Sequence, residues 1–252
     1  MCFNYVTVSR QVCFDWFKTP IEVSEDWREE VYQDRTAPII IHDDQGHRKG
    51  LVSSYGFVPQ RHRPFKKLTP AEEQAIREGK EVKRKRIPMS TMNARAEEVV
   101  SKLNYKRFWL QQQLCIVPAL AVCEPNWETG KHERWAIELA SGEPFGLPGM
   151  WRTWEEADGS IINTFTHFTL NANDHPLLNR FHSDEEKRGV AILRPEHYDD
   201  WLSSTNPEFG RALIELYPAA ELSARPAPKS PVSLDEVPAE LVNERPAQTD
   251  LF

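Results

Sequence analysis

The chain has 252 residues, 40% of them apolar and 27% charged, with a formal net charge of −7. That length and composition suit one substantial core in one or two domains, and the absence of an apolar run at the N-terminus argues against a signal peptide or membrane span. Four cysteines (Cys2, Cys13, Cys115, Cys123) with no CxxC pair exclude a disulfide framework and count against a zinc ribbon, so a reducing, cytoplasmic setting is expected.

The chain opens Met1-Cys2-Phe3-Asn4-Tyr5. Cys2 is small enough for Met1 to be trimmed away, which leaves a cysteine with its α-amine and thiol on adjacent carbons. Such a pair reacts with aldehydes: the amine condenses to an imine, and the thiol closes on it as a five-membered thiazolidine. With unperturbed pKa values of about 7.7–8 for the amine and about 8.5 for the thiol, both are partly nucleophilic near neutrality. Ser9 can cap a short helix with Val12, Cys13, Trp16 and Phe17 on its inner face. Pro38 to Ile41 and Gly50 to Val58 read as strands joined across Asp43-Asp44-Gln45-Gly46. Thr69-Pro70-Ala71-Glu72 is a capping box with proline at the first helical position, and Gly79 can end that helix.

Asn93-Ala94-Arg95-Ala96-Glu97 predicts a helix start, running to about Leu103. Leu114 to Cys123 predicts one long buried strand, and Arg134 to Leu139, Met150 to Trp154, Ile161 to Leu170 and Val190 to Leu193 predict further strands. Pro195 and Pro207 each open a helix. Strands without regular helical crossovers favour an α+β domain over residues 2–217. From residue 218 to 252, six prolines among Ala, Ser and Glu predict a disordered tail.

Charge is unevenly spread. Between Gln60 and Leu110 there are fourteen Lys and Arg against six Glu, whereas acids gather at the N-terminus and after Asp184. A basic middle with Arg61, Arg63 and the run Lys83-Arg84-Lys85-Arg86 is the footprint of a face that meets phosphate, although a run of this kind also serves as a solvated helix face.

Three further groups can carry chemistry. Asn93 is a good helix N-cap, and Arg95 beside it offers a cationic fork for phosphate. Glu124 ends a long apolar run, where desolvation disfavours a bare carboxylate and suits it to exchanging protons. His182 follows a short apolar turn and precedes a charged stretch. The even gaps between His167, His175 and His182 match no compact metal site, and no cofactor is called for.

Taken together, Cys2, Asn93-Ala94-Arg95-x-Glu97, the apolar strand ending in Glu124 before Trp127, and the Asn179 to His182 turn resemble the SOS response-associated peptidase (SRAP) family. The likeness runs from Cys2 to about Leu202 and takes in Pro38 and Tyr55-Gly56-Phe57-Val58-Pro59. The resemblance implies a barrel-like, largely antiparallel β core flanked by helices. It further implies a DNA-damage protein that cross-links abasic sites in single-stranded DNA. In that scheme Cys2 is the nucleophile, Glu124 shuttles protons, His182 holds the sugar hydroxyl or phosphate, Asn93 hydrogen-bonds the linkage and Arg95 grips the backbone. Autopeptidase removal of Met1 and weak lyase activity are implied with it, as is a monomer working at the nucleoid in the cytoplasm. Phe3-Asn4 replaces the family's Gly-Arg, Ser183-Asp184-Glu185 replaces Arg-Met-Pro, and Gln60-Arg61-His62 stands where tryptophans are expected. The last five residues resemble the peptide by which bacterial proteins dock on the replication sliding clamp, through Gln248, Leu251 and Phe252. Two other readings remain open on the residues alone: a non-covalent single-stranded nucleic-acid-binding module, and a cysteine hydrolase built from Cys2, His182 and Asn93.

Overall fold

A computed structural model describes residues 4–183 and 185–229. In chain order its elements are β1 (Asn4–Val6), α1 (Arg10–Asp15), β2 (Glu30–Tyr32), β3 (Thr36–His42), β4 (Arg48–Tyr55), α2 (Pro70–Arg77), β5 (Asn93–Arg95), α3 (Leu103–Leu110) and β6 (Leu114–Ala119). There follow β7 (Ala121–Asn126), β8 (Glu133–Leu139), β9 (Phe145–Glu155), β10 (Ile161–Asn171), β11 (Arg188–Val190), α4 (Tyr198–Leu202), α5 (Pro207–Ala212) and β12 (Leu222–Pro226).

Local signals act where expected. The Ser9 hydroxyl accepts from the Val12 N–H at the head of α1, and the Thr69–Glu72 box is reciprocal at the head of α2. Asp43 takes N–H groups from Gln45 and His47, and Gly46 turns at φ +78° to join β3 to β4.

The barrel is a closed ring of five strands among the described residues. β4 runs antiparallel to β3, β3 to β6, β6 to β9 and β9 to β10. β10 then returns to β4 in parallel, with Thr164 opposite Ser54 and Phe165 opposite Tyr55. β5 and β11 extend β10, and a second sheet runs in the order β12-β8-β7-β1-β2. Alternation along the barrel strands sorts the side chains. Ile39, Ile41, Val117 and Leu147 share a core with Tyr5, Val122, Ile137 and Leu222 of the second sheet. Ile40, Leu114, Ile116 and Met150 pack instead under Cys13 and Phe17, Trp109 of α3, and Tyr198 and Trp201 of α4. Each such fully buried side chain contributes about 1.5–3 kcal/mol relative to exposure. No helix among the described residues is long and apolar enough to cross a membrane.

Several expectations are corrected. Asn93-Ala94-Arg95 is a strand, not a helix start. Its pairing with His167, Phe168 and Thr169 of β10 buries Ala94 completely, and that tertiary pairing overrides a good N-cap signal. The helix begins only at Leu103. The Leu114–Cys123 run is two strands in different sheets, broken at Leu120, whose N–H turns to the Val6 carbonyl. Trp16 is 36% exposed rather than on the inner face of α1. Ordered structure also continues beyond Pro218: Leu222–Pro226 pairs with β8 and buries Leu222. Residues 230–252, including Gln248, Leu251 and Phe252, lie outside the described residues.

Gly149 sits where β9 meets both neighbours, opposite Cys115 on β6 and His167 on β10. A Cβ there would lie 2.6 Å from the Thr166 carbonyl oxygen and 3.0 Å from the Cys115 Sγ. Gly149→Ala is therefore expected to force β9 away from a neighbour and cost about 1–3 kcal/mol, read as a lower urea midpoint. A variant with wild-type stability contradicts this account of the seam.

Candidate active site

Glu124 and His182 form the centre of the site. Glu124 lies on β7, 3% exposed, and its Oε2 is 3.1 Å from the His182 Nε2. His182 reaches it from a turn that is stitched to the end of β7. Phe181 bridges to Asn126, the His182 N–H donates to the Pro125 carbonyl at 2.9 Å, and the Lys187 ammonium caps the His182 carbonyl at 2.6 Å. The backbone of His182 is left-handed, at φ +66°, a conformation that L residues adopt at a cost of about 1–2 kcal/mol unless neighbours hold it.

A bidentate pair braces the same turn from outside. Arg180 donates from Nε and Nη2 to the two Glu128 oxygens, both at 2.9 Å, and Asn126 donates to Glu128 as well. The Arg180 and Asn126 hydrogen bonds hold the Glu128 carboxyl down to about 2. Trp127, 40% exposed, lies with His182, Asn179 and Lys187 along an open groove that gives solvent access to this end of the sheet.

β1 brings the start of the chain to the same place. Asn4, buried, pairs with Cys123, the residue before Glu124, and on its other side with Tyr32. Tyr5 carries the connection to the barrel: its ring meets Tyr55 at 5.3 Å and His167 at 6.5 Å, both edge-on. His167 stacks on Tyr55, shares a 2.7 Å hydrogen bond with the Tyr55 hydroxyl, and stands opposite Asn93 in the β5–β10 pairing. Asn93 is itself buried, with its carbonyl accepting from the Tyr105 hydroxyl. Asn4 thus shares a face of its sheet with Cys123, while Tyr5 lies on the face of Val122 and Glu124 and links it to Tyr55 and to the His167 that stands opposite Asn93. Tyr5, Tyr55 and His167 were not singled out as functional by the sequence, because an isolated Tyr or His in an apolar strand carries no signal of its neighbours.

Cys2 lies outside the described residues. The described thiols are poor nucleophiles. Burial pushes Cys13 up to about 12, Cys123 up to about 11 despite the nearby Arg134, and Cys115 well above its ordinary value. A neutral imidazole is likewise fixed at His167, which burial lowers to about 4. The histidines share no common centre: His167 meets Tyr55, His175 the Tyr217 carbonyl, and His182 Glu124.

The arginines and lysines expected to face phosphate divide into three groups. Arg63 does not face solvent. It is buried, donates to both oxygens of Asp34 at 2.7 and 2.9 Å and to the Val58 carbonyl, and so braces the β4 exit rather than a ligand. Arg95 is tied at 3.1 Å to Glu98 and to Glu186, and Arg61 to Glu156 at 3.0 Å. Lys83 and Lys85 are exposed, while Arg84 and Arg86 lie over the Phe65 ring at 4.4 and 4.1 Å. Phe65 and Arg86 form a short antiparallel bridge, so the basic run is one side of a ribbon lining an open groove with Arg61, Lys66 and Pro88.

The family model described as SOS response associated peptidase (SRAP) matches residues 1–232. Over 145 residues, 56% of its length, the chain is 27% identical to abasic site processing protein YobE of Bacillus subtilis (strain 168), covering 63% of that protein. The same identity and span hold for abasic site processing protein YoqW of the same organism, 62% of which is covered. The chain thus spans less than two thirds of these relatives. Its fold is similar to that of a crystallised protein from Bordetella bronchiseptica, with a TM-score of 0.73 and 26% identity over 90% of this chain and all of the other. A Bacteroides thetaiotaomicron protein shares the fold at a TM-score of 0.66 and 20% identity, over 88% of this chain and 90% of that one.

Two measurements test this description. Alkylation of the folded protein at pH 8 is expected to leave Cys13, Cys115 and Cys123 unmodified by peptide mass mapping; rapid labelling of any of the three contradicts their burial. Because the unfolded chain protonates His167 below about 6.5 and the folded chain only below about 4, stability is lost as pH falls through that window. The loss approaches roughly 3 kcal/mol, and His167→Gln flattens that part of the slope; an unchanged slope places the titration elsewhere.

Proposed function

Because this chain belongs to the SOS response associated peptidase (SRAP) family, we propose that it processes abasic sites in single-stranded DNA through a covalent adduct on Cys2, exposed by removal of Met1. The observation that carries the reading is the buried Glu124–His182 pair, set at the strand end beside which β1 enters the sheet. Cys2 is two residues before Asn4, and two residues span at most about 7 Å, so its reach is confined to this end of β7. The printed names of the Bacillus relatives, abasic site processing proteins, point the same way.

The chemistry follows from the groups present. The ring-opened abasic deoxyribose offers an aldehyde at C1′. The α-amine of Cys2 adds to that carbon, and loss of water leaves an imine. The thiol sulfur then attacks the imine carbon, its proton passes to the nitrogen, and a thiazolidine results. Every step moves a proton, and the Glu124–His182 pair supplies a carboxylate and an imidazole in contact to move it. Asn93 is suited to hydrogen-bond the linkage. An imine left open at C1′ permits β-elimination of the strand, so ring closure by sulfur suppresses the lyase reaction. Arg95 becomes a phosphate ligand by exchanging Glu186 for the strand. The observation favouring the adduct reading over the hydrolase alternative is the Glu124 carboxylate in contact with His182, which suits a proton relay.

The test is a denaturing gel of the full chain with an abasic single-stranded oligonucleotide. A shifted band is expected that Cys2→Ala abolishes and that Glu124→Gln or His182→Gln forms about 100-fold more slowly. A shift seen only under native conditions, or one that survives Cys2→Ala, overturns the covalent reading.

A further inference from the structure

Outside the site, Arg107 and Arg152 stand out as a pair of like charges. Arg107 is in the last turn of α3 and exposed; Arg152 is on β9 and half-buried. Among the described residues neither has a carboxylate within 4 Å; exposed Arg28, Arg35, Arg77 and Arg84 share that lack, whereas the half-buried Arg86 and Arg211 donate to the Arg63 and Ala96 carbonyls and the buried Arg63 and Arg188 are paired with Asp34 and Glu97. The Arg152 Nε is buried and has no hydrogen-bond partner among the described residues. Burial and the field of Arg107 both work against its charge, lowering its proton affinity.

The surroundings narrow the ligand. The Arg152 guanidinium lies 3.6 Å from the Trp154 ring centroid and 4.5 Å from that of Phe108. The indole in turn stacks on His62 at 4.2 Å, with 29° between the planes. Next to His62, Arg61 opens onto the groove with Phe65, Arg84 and Arg86. Cations and aromatic rings therefore alternate from Arg107 to Arg86. That pattern suits a single strand, whose phosphates need charge and whose bases need flat faces, better than it suits a duplex or an acidic peptide.

We propose that Arg107 and Arg152 together hold one backbone phosphate of a single-stranded DNA segment that continues along His62 and the Phe65 groove. The pair clamps the strand away from the reacting sugar. The inference rests on the single-stranded DNA reading above, but not on the covalent step.

Its test therefore uses an undamaged fluorescent oligonucleotide and the full chain, with affinity measured from 50 to 200 mM salt. Removing one phosphate contact takes about 0.7 from the slope of log K against log salt. Arg152→Gln is expected to lose about that much, Arg107→Gln to fall in the same direction, and the double variant to go no further, because one phosphate is shared. Lys18→Gln, next to the far end of α1, is expected to leave the slope unchanged. If Arg152→Gln fails to fold, exposed Arg107 decides the matter alone. An unchanged slope in Arg107→Gln overturns the proposal, even if the abasic adduct forms normally. Conversely, a reduced slope with no adduct sustains the clamp and removes the covalent reading.

Discussion

Everything about this molecule that invites chemistry depends on keeping a carboxylate and an imidazole in contact away from water. Burying either alone costs several kcal/mol, so each makes the other tolerable. The contact is not left to side-chain chance. It is imposed by main chain: the Pro125–His182 hydrogen bond and the Asn126–Phe181 bridge tie the histidine turn to the strand that carries Glu124. The left-handed His182 backbone is the strain that results, and the Glu128–Arg180 fork and Lys187 hold it in place. The barrel serves this arrangement by fixing β5 and β10 behind it, with Tyr5, Tyr55 and His167 filling the space between the two sheets.

What the sequence disclosed was whatever acts locally. The capping box at Thr69, the Ser9 cap, the Asp43–Gly46 turn and the apolar strands all appear near their expected positions. The mistakes fall where a distant partner decides. Asn93 has the chemistry of an N-cap, yet the free edge of β10 takes it into a strand. Leu114–Cys123 is uniformly apolar because both its halves are buried, and hydrophobicity alone does not register that the chain changes sheets at Leu120. Leu222–Pro226 looks like the start of a proline-rich tail but finds an open edge on β8. Glu124 and His182 were legible as candidates through order and type along the chain; their contact was not, since 58 residues separate them.

The basic segment offers a second lesson about reading charge from composition. Arg63 looked as available as Arg61, but its guanidinium is enclosed by Asp34 and the Val58 carbonyl. Arg152, isolated among aromatic and acidic neighbours in the sequence, by contrast has no carboxylate within 4 Å among the described residues and lies against Trp154 and Phe108 instead. A charge count along the chain weights these residues equally. The hydrogen-bond and ion-pair partners, not the position in the sequence, show which arginines brace the fold, as Arg63 does through Asp34 and Arg211 through the Ala96 carbonyl.

Glu186 gives the Arg95 region a particular property. One of its oxygens contacts Arg95 and the other Arg188, each at 3.1 Å, while Arg188 is also anchored by Glu97 and the Thr169 carbonyl. An incoming anion that draws Arg95 away strands no carboxylate, because Glu186 remains neutralised by the buried arginine behind it. The swap trades one exposed contact for another of the same kind. Ligand entry at this edge can thus proceed as a hand-over between anions, with no segment of the fold obliged to open first.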